Sequence, residues 1–383
     1  MGLGIKEKLG HFKGDKVILI LVAALACFSI LLVSSTEGMG VFTHIIHLIV
    51  AAIAATVAYF LDYKNVLHKG RGCILLIAIG LLGATLASSA VRGISIRGHS
   101  FQTFYFIGLL VIVWLSNFLG RRIDDGETLI PKGAMNMATF VAAAFCTLIG
   151  ILNMSTAIIL FLTCIALFYI GRISMRRILS IVGIAVVLIA ILSALVATKK
   201  LDNFARFDTF VSRWEYYFTQ ENNNGYGDQM IMSKTAIARS GIKPAGPGRG
   251  VIKYRLPEKA TDYAYASLFE ETGLVVGIII ILLYTAFFIR AWLIAKKAKS
   301  AIGSLLAFGI GFWLTCQAFV HIGVNCCLLP ATGQTLPFIS VGGTSLIVIG
   351  FAVGILLNVS KRNVMEEGLI DAKDKFIQSD RYK

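Results

Sequence analysis

Seven cations, Lys234, Arg239, Lys243, Arg249, Lys253, Arg255 and Lys259, run through a glycine- and proline-rich stretch that closes on Asp262. Backbone amides opened by glycine and flanked by Lys and Arg make a seat for phosphate oxygens. The same composition suits a basic loop resting on anionic lipid headgroups, and spacing alone does not separate the two. Cations around a carboxylate favour its ionised form. Asp262 therefore suits a general base, or a group orienting a hydroxyl for attack. Thr261 or Asp262 is also well placed to cap a helix beginning at YAYASLFEE, and the two roles are compatible.

Two further patterns stand downstream. Gln317, His321 and Asn325 recur every four residues, so they share one helix face. Polar groups in an apolar helix face a bundle interior or a cavity. That leaves a satisfied interhelical hydrogen-bond cluster or a face that lines a substrate path. Next, ATGQTLPFISVGGTSL, residues 331–346, packs Pro337, three glycines and several hydroxyls between two apolar runs, with Pro330 just before it. Helix-breaking polar chain at that position needs a reason.

The elements that must position these residues are membrane helices. Of 383 residues, 57% are hydrophobic and 15% charged, with a mean hydropathy of +0.78. Soluble domains carry about a quarter charged residues. The composition specifies an all-α polytopic membrane protein. About 20 apolar residues cross a hydrocarbon core about 30 Å thick. Ten windows qualify, near 17–35, 43–60, 73–91, 101–119, 135–152, 155–171, 178–197, 273–294, 303–328 and 340–359. The first run is too long for a cleaved signal and lacks a small-residue cleavage pattern.

Lys and Arg of the short loops alternate so that six basic segments share one side, with both termini cytoplasmic. The net charge of +15 is mostly this topology signal and does not point to nucleic acid. The seven cysteines lie almost entirely in the spans and show no metal-ligand spacing. Residues 1–363 form the membrane domain, and 364–383 read as a cytoplasmic tail, disordered or on the surface. The large loop 198–262, between helices 7 and 8, is external on this topology, and its 65 residues call for a function. Its first half, KKLDNFARFDTFVSRWEYYF, alternates basic and aromatic residues as an interfacial amphipathic helix does.

LLPATGQTLPFISVGGTSL resembles the signature of the SEDS family (the FtsW, RodA and SpoVE proteins), which reads approximately LLPvTGlpLPFiSyGGsS. SKTAIARSGIKPAGPGRG, followed by LPEKATDYAYASLFEETG, is similar to a second family element of the same loop. Ten spans, the loop after the seventh and cytoplasmic termini match as well. The resemblance implies a peptidoglycan glycosyltransferase that polymerises lipid II, with an undecaprenyl-pyrophosphate leaving group. It implies that residues 330–345 are a non-helical external segment folded against a cavity, since backbone of this kind is tolerated only away from lipid. A re-entrant turn that merely closes the bundle is the alternative.

By position, the family's essential loop aspartate falls on Asp262 and the glutamate of its LPE element on Glu258. Gln229 and Ser233 fall in the loop element before AI, where the usual QS is spread as QMIMS. Arg92 matches the arginine of a GARRWI-like element, and Gln102 the glutamine of FQPSE. Lys234, Arg249, Lys253 and Lys259 are the loop cations placed at the substrate. Thr332, Gly333, Pro337, Ser340, Gly342, Gly343 and Ser345 carry the signature wall, and His321 takes the place of an asparagine in the ninth span. Where FQPSE and a following lysine stand in most members, this chain has FQTFYFIG, with Tyr105 at the glutamate and Gly108 at the lysine. SGIK also replaces SGG.

The resemblance names no required cofactor, and a divalent cation stays open. It implies a class B penicillin-binding protein as transpeptidase partner, other division proteins, and the bacterial cytoplasmic membrane at the septum. The GQTLP and GGTS wording and the short chain look more like the FtsW branch than the RodA branch. Two other roles remain: a flippase for lipid II, and a non-catalytic scaffold for the penicillin-binding protein.

Overall fold

The structure, a computed structural model, describes residues 13–36, 40–87, 94–96, 99–197, 205–219, 226–242, 244–252 and 254–381. Twelve helices follow in order: α1 Lys16–Ser34, α2 Val41–Phe60, α3 Tyr63–Ala87, α4 Thr103–Asp124, α5 Lys132–Leu152, α6 Met154–Ile170, α7 Met175–Ala197, α8 Ala205–Thr219, α9 Tyr226–Ser240, α10 Ala264–Lys297, α11 Ala301–Asn325 and α12 Gly343–Arg381. Between α3 and α4 lies a small antiparallel hairpin, β1 Ile94–Ile96 with β2 His99–Phe101, which pairs Ile94 with Phe101. Two three-residue strands are too short to leave a readable alternation, and the sequence reading missed them.

Among the described residues, seven helices are long and apolar enough to cross a membrane: α1, α2, α4, α5, α10, α11 and the Gly343–Glu366 part of α12. Two shorter apolar stretches, Gly72–Ala87 and α6, add to them. This is a multi-pass membrane fold. In α4, 89% of the apolar window is buried inside the protein, against 17% in α2, so α4 is central and α2 peripheral. The outward face of α2, with Phe42, Ile49, Ile53 and Phe60, is apolar and exposed, a surface suited to lipid.

Small residues let the central helices touch. A Cβ on Gly120 would lie 2.6 Å from the backbone of Ile302, which joins α4 to α11. One on Gly350 would lie 2.3 Å from the Ala51 carbonyl oxygen, which joins α12 to α2. In lipid, packing of this kind holds helices together where burial of apolar surface gives no driving force.

Three helix boundaries differ from the hydropathy windows. The helix expected from 273 begins at Ala264 and kinks at Gly273, whose φ of 82° breaks the helical path. The helix expected from 73 begins at Tyr63, so its first turns precede the apolar run. The helix expected over 340–359 runs on as α12 as far as Arg381.

Candidate functional site

Asp262 sits on a tight corner. Glu258 adopts a left-handed φ of 53°, and its carbonyl accepts from the amides of Thr261 at 3.0 Å and Tyr263 at 3.2 Å. The Thr261 hydroxyl donates to the Glu258 carboxylate at 2.5 Å. Helix α10 then starts at Ala264, and its N-cap, Tyr263, makes no side-chain cap bond. Its first amides are served from α11 instead. Ala266 N–H donates to Asn325 Oδ1 at 2.9 Å, and Tyr265 N–H to His321 Nε2 at 3.4 Å. Tyr265 N–H is thus held by His321, and the Thr261 hydroxyl is turned to Glu258, so the helix caps at Tyr263 rather than at the expected Thr261 or Asp262. Asn325 also donates to the Asp262 carbonyl at 3.1 Å.

The histidine is fixed by the same geometry. Its Nε2 accepts from an amide, so Nδ1 carries the proton and donates to the Gln334 carbonyl at 2.7 Å. Both ring nitrogens are engaged and the residue is buried. His321 is an interhelical strut, as the satisfied-cluster alternative describes. One turn earlier, Gln317 is buried with its Oε1 lacking a partner among the described residues.

Residues 326–342 contain no regular helix, and they are tied down along most of their length. Ser340 Oγ donates to the Thr261 carbonyl at 2.7 Å and accepts from Leu336 N–H at 2.8 Å. Val341 N–H donates to the Ala260 carbonyl at 2.8 Å. Gln334 Nε2 reaches Thr156 on α6 at 2.9 Å, Ser29 on α1 reaches the Ile339 carbonyl at 2.8 Å, and Tyr284 on α10 donates to the Pro337 carbonyl. Tyr105 on α4 shares a hydrogen bond with the hydroxyl of Thr335. From α8, Arg213 donates to the Ala331 carbonyl at 3.2 Å and Tyr217 to that of Leu328 at 3.0 Å. The segment is a wall held from α1, α4, α6, α8 and α10, with His321 of α11 at Gln334.

Gly333 brings this wall close to the carboxylate. Its φ of 66° is left-handed, and a Cβ there would stand 3.4 Å from Asp262 Oδ2. Thr332 beside it has a buried hydroxyl with no partner among the described residues. Burial, then the charge of Asp262, push the Tyr263 phenol above its usual range, with Arg213 pulling it back. Arg213 and Asp262 thus act on one side chain. Arg213 was not singled out in the sequence, where it is one basic residue in an amphipathic pattern.

Other predicted residues fall elsewhere. Ser233, on α9, is buried and donates to the Asn325 carbonyl at 2.8 Å, so it braces the corner. Gln229 is half-buried on the same helix. Gly342, Gly343 and Ser345 form the start of α12, where Ser345 Oγ donates to the Gly342 carbonyl at 3.2 Å. A Cβ on Gly343 would meet His47 Nε2 at 2.9 Å. Gln102 joins them, its amide donating to Thr344 Oγ1 at 3.0 Å. Arg92 and Lys253 lie outside the described residues.

The cationic loop is organised by two acids. Glu270 Oε1 accepts from Val251 and Ile252 N–H, both at 2.8 Å, and Glu271 Oε1 from Gly248 N–H at 2.9 Å. Those amides, expected to seat phosphate, are occupied by the protein's own carboxylates. The cations remain at the surface: Lys234 and Arg249 are exposed, and Lys259 lies over the Tyr254 ring at 4.9 Å. Among the described residues, no group of three or more His, Cys, Asp or Glu could hold a metal ion. A separate cavity of about 570 Å³, lined by Lys64, Arg121, Asp124, Asp125, Lys299, Ser300, Ile302 and Glu366, contains none of the predicted site residues.

The sequence and the fold have known counterparts. The sequence profile of the family described as Cell cycle protein (FtsW, RodA, SpoVE) matches residues 15–364. A probable peptidoglycan glycosyltransferase FtsW of Geobacter metallireducens is 30% identical, over 94% of this chain and 99% of its own length. The stage V sporulation protein E of Bacillus subtilis is 31% identical, over 76% of this chain and 77% of its own. In structure, the fold matches a chain from a study of polymerization and crosslinking by a peptidoglycan synthase complex. The TM-score is 0.73 at 18% identity, over 91% of this chain and 98% of that one. The rod shape determining protein RodA of Thermus thermophilus matches with a TM-score of 0.59 at 18% identity, over 91% of this chain and 97% of that one.

Proposed function

This chain belongs to the FtsW/RodA/SpoVE family of cell cycle proteins, and from that premise we propose that it is a peptidoglycan glycosyltransferase that polymerises lipid II. The observation that carries this is the corner at Asp262. Side chains from α11 hold amides at the start of α10, and the Asp262 carboxylate lies close to Gly333. Asp262 accepts the proton of the acceptor sugar's 4-hydroxyl, whose oxygen attacks the anomeric carbon of the donor. The bond from that carbon to the undecaprenyl pyrophosphate breaks, and the pyrophosphate leaves with the electron pair. Arg213 and the loop cations Lys234, Arg249 and Lys259 stabilise the charge that develops on it.

In this reading ten helices, α1–α7 and α10–α12, span the bacterial cytoplasmic membrane, with both termini cytoplasmic and residues 198–262 outside. The wall 330–345 bounds the external cavity. A class B penicillin-binding protein supplies the transpeptidase, and the setting is the division septum, with elongation the alternative. Labelled lipid II given to the purified protein, alone and with such a partner, tests the reading through the appearance of glycan chains on a gel. Gln317 favours a second role, since its buried, unpartnered oxygen suits a path for a polar headgroup. A flippase would lose transport in Gln317→Leu, whereas a polymerase would keep its activity on lipid II supplied in detergent.

A further inference from the structure

Tyr105 is 8% exposed and lies within the first turn of α4. Its ring leans on Trp313 of α11, with centroids 6.1 Å apart. Trp313 in turn fills the room beside Gly108, where a Cβ would stand 3.4 Å from the indole. The phenol is thus backed by a rigid aromatic pair, and its hydroxyl meets Thr335 of the wall. Two hydroxyls carry two protons and their mutual bond uses one. Thr335 is also two residues from Gly333, where a Cβ on the left-handed turn would stand 3.4 Å from Asp262 Oδ2.

We infer that Tyr105 is a positioning residue for the transfer step: through Thr335 it sets the Gly333 turn at its distance from Asp262. The inference rests on Asp262 acting as the base. Neither hydroxyl is needed to hold α4 in the bundle, because the Tyr105 ring and Trp313 do that by packing. What the hydroxyl pair adds is a fixed distance between the wall and the carboxylate. A loosened wall should lower turnover without weakening substrate capture.

Initial rates of lipid II polymerisation by the purified full chain test this with Tyr105→Phe, Thr335→Val, Thr335→Ser and the double variant Tyr105→Phe/Thr335→Val. Tyr105→Phe keeps the ring on Trp313 and removes only the hydroxyl. It and Thr335→Val should each lower kcat about tenfold, the size of one lost hydrogen bond, with KM within about twofold. Thr335→Ser keeps the hydroxyl and should stay near the parent rate. The double variant should be no slower than the worse single, since both remove the same bond. Parent rates in both single variants, or a double loss that multiplies to about a hundredfold, overturn the inference. If Tyr105→Phe does not fold, Thr335→Val reads the same bond from the other side. Asp262→Asn is run in parallel. Polymer from that variant defeats the catalytic role itself, while an inactive Asp262→Asn beside an unaffected Tyr105→Phe defeats only the positioning role.

Discussion

Asn325 grips both sides of the corner at Asp262: its amide donates to the Asp262 carbonyl at 3.1 Å, and its Oδ1 accepts from Ala266 N–H at 2.9 Å. One buried side chain thus ties the end of the loop to the start of α10. Asn325→Asp keeps the acceptor but loses the donor and buries a charge. Asn325→Leu loses both bonds. Losing an N-cap costs about 1 kcal/mol, and a buried carbonyl left unpaired costs about 1–3 kcal/mol more. Both variants should melt several degrees lower and lose most polymerisation; a parent-like melting curve for Asn325→Leu would show that the corner is held by other contacts.

Gly333 tests the wall. An L-residue in the left-handed region costs about 1–2 kcal/mol, and the added methyl would touch Asp262 Oδ2 at 3.4 Å without a clash. Gly333→Ala should therefore insert and fold with a small loss of stability, yet polymerise poorly because the methyl occupies the gap at the carboxylate. Folded Gly333→Ala with full activity would place the acceptor elsewhere.

Gly343 tests the start of α12. A methyl there would sit 2.9 Å from His47 Nε2, so something must shift. Gly343→Ala should lower activity and stability, and Gly343→Ala/His47→Ala should recover much of the stability. No recovery would mean that the backbone of Gly343, rather than the space beside it, is what matters.

The cationic loop gives a prediction about local opening. Glu270 Oε1 holds two amides and is buried. Hydrogen bonds to charged groups contribute about 1.5–3 kcal/mol each. Glu270→Ala should free residues 250–252 while Glu271 still holds Gly248, so trypsin cuts after Arg249 at least about tenfold faster than in the parent. Equal cleavage rates would show that the loop is held by something other than this carboxylate.

Much of this fold is legible in the sequence because lipid enforces it. A helix such as α1 or α11 reads as an apolar run, and the 331–346 segment stands out as chain that cannot face lipid. The candidate site is legible as a set of neighbours: Asp262, Glu258, Gly333 and Ser340 come together at one corner. Their division of labour is not. Spacing shows that His321 and Asn325 share a face, but only the packing of α10 on α11 shows that they hold another helix's amides. Glycine-rich loop amides look vacant in sequence because Glu270 and Glu271, the acids that occupy them, stand about 20 residues away. Hydropathy also cannot mark where a helix continues past the membrane, as α12 does to Arg381.

The catalytic role of Asp262 is tested most directly by Asp262→Asn, purified and given labelled lipid II. The exchange keeps the size of the side chain beside Gly333 and leaves the Asn325 and His321 contacts to α10 in place. It removes only the charge and the basicity. A general base contributes about 10²–10⁴-fold. The predicted result is a folded protein with the parent's melting temperature that makes no glycan polymer, while Glu258→Gln and Glu271→Gln retain more activity. Polymer formation by Asp262→Asn at a rate near the parent's would contradict the assignment.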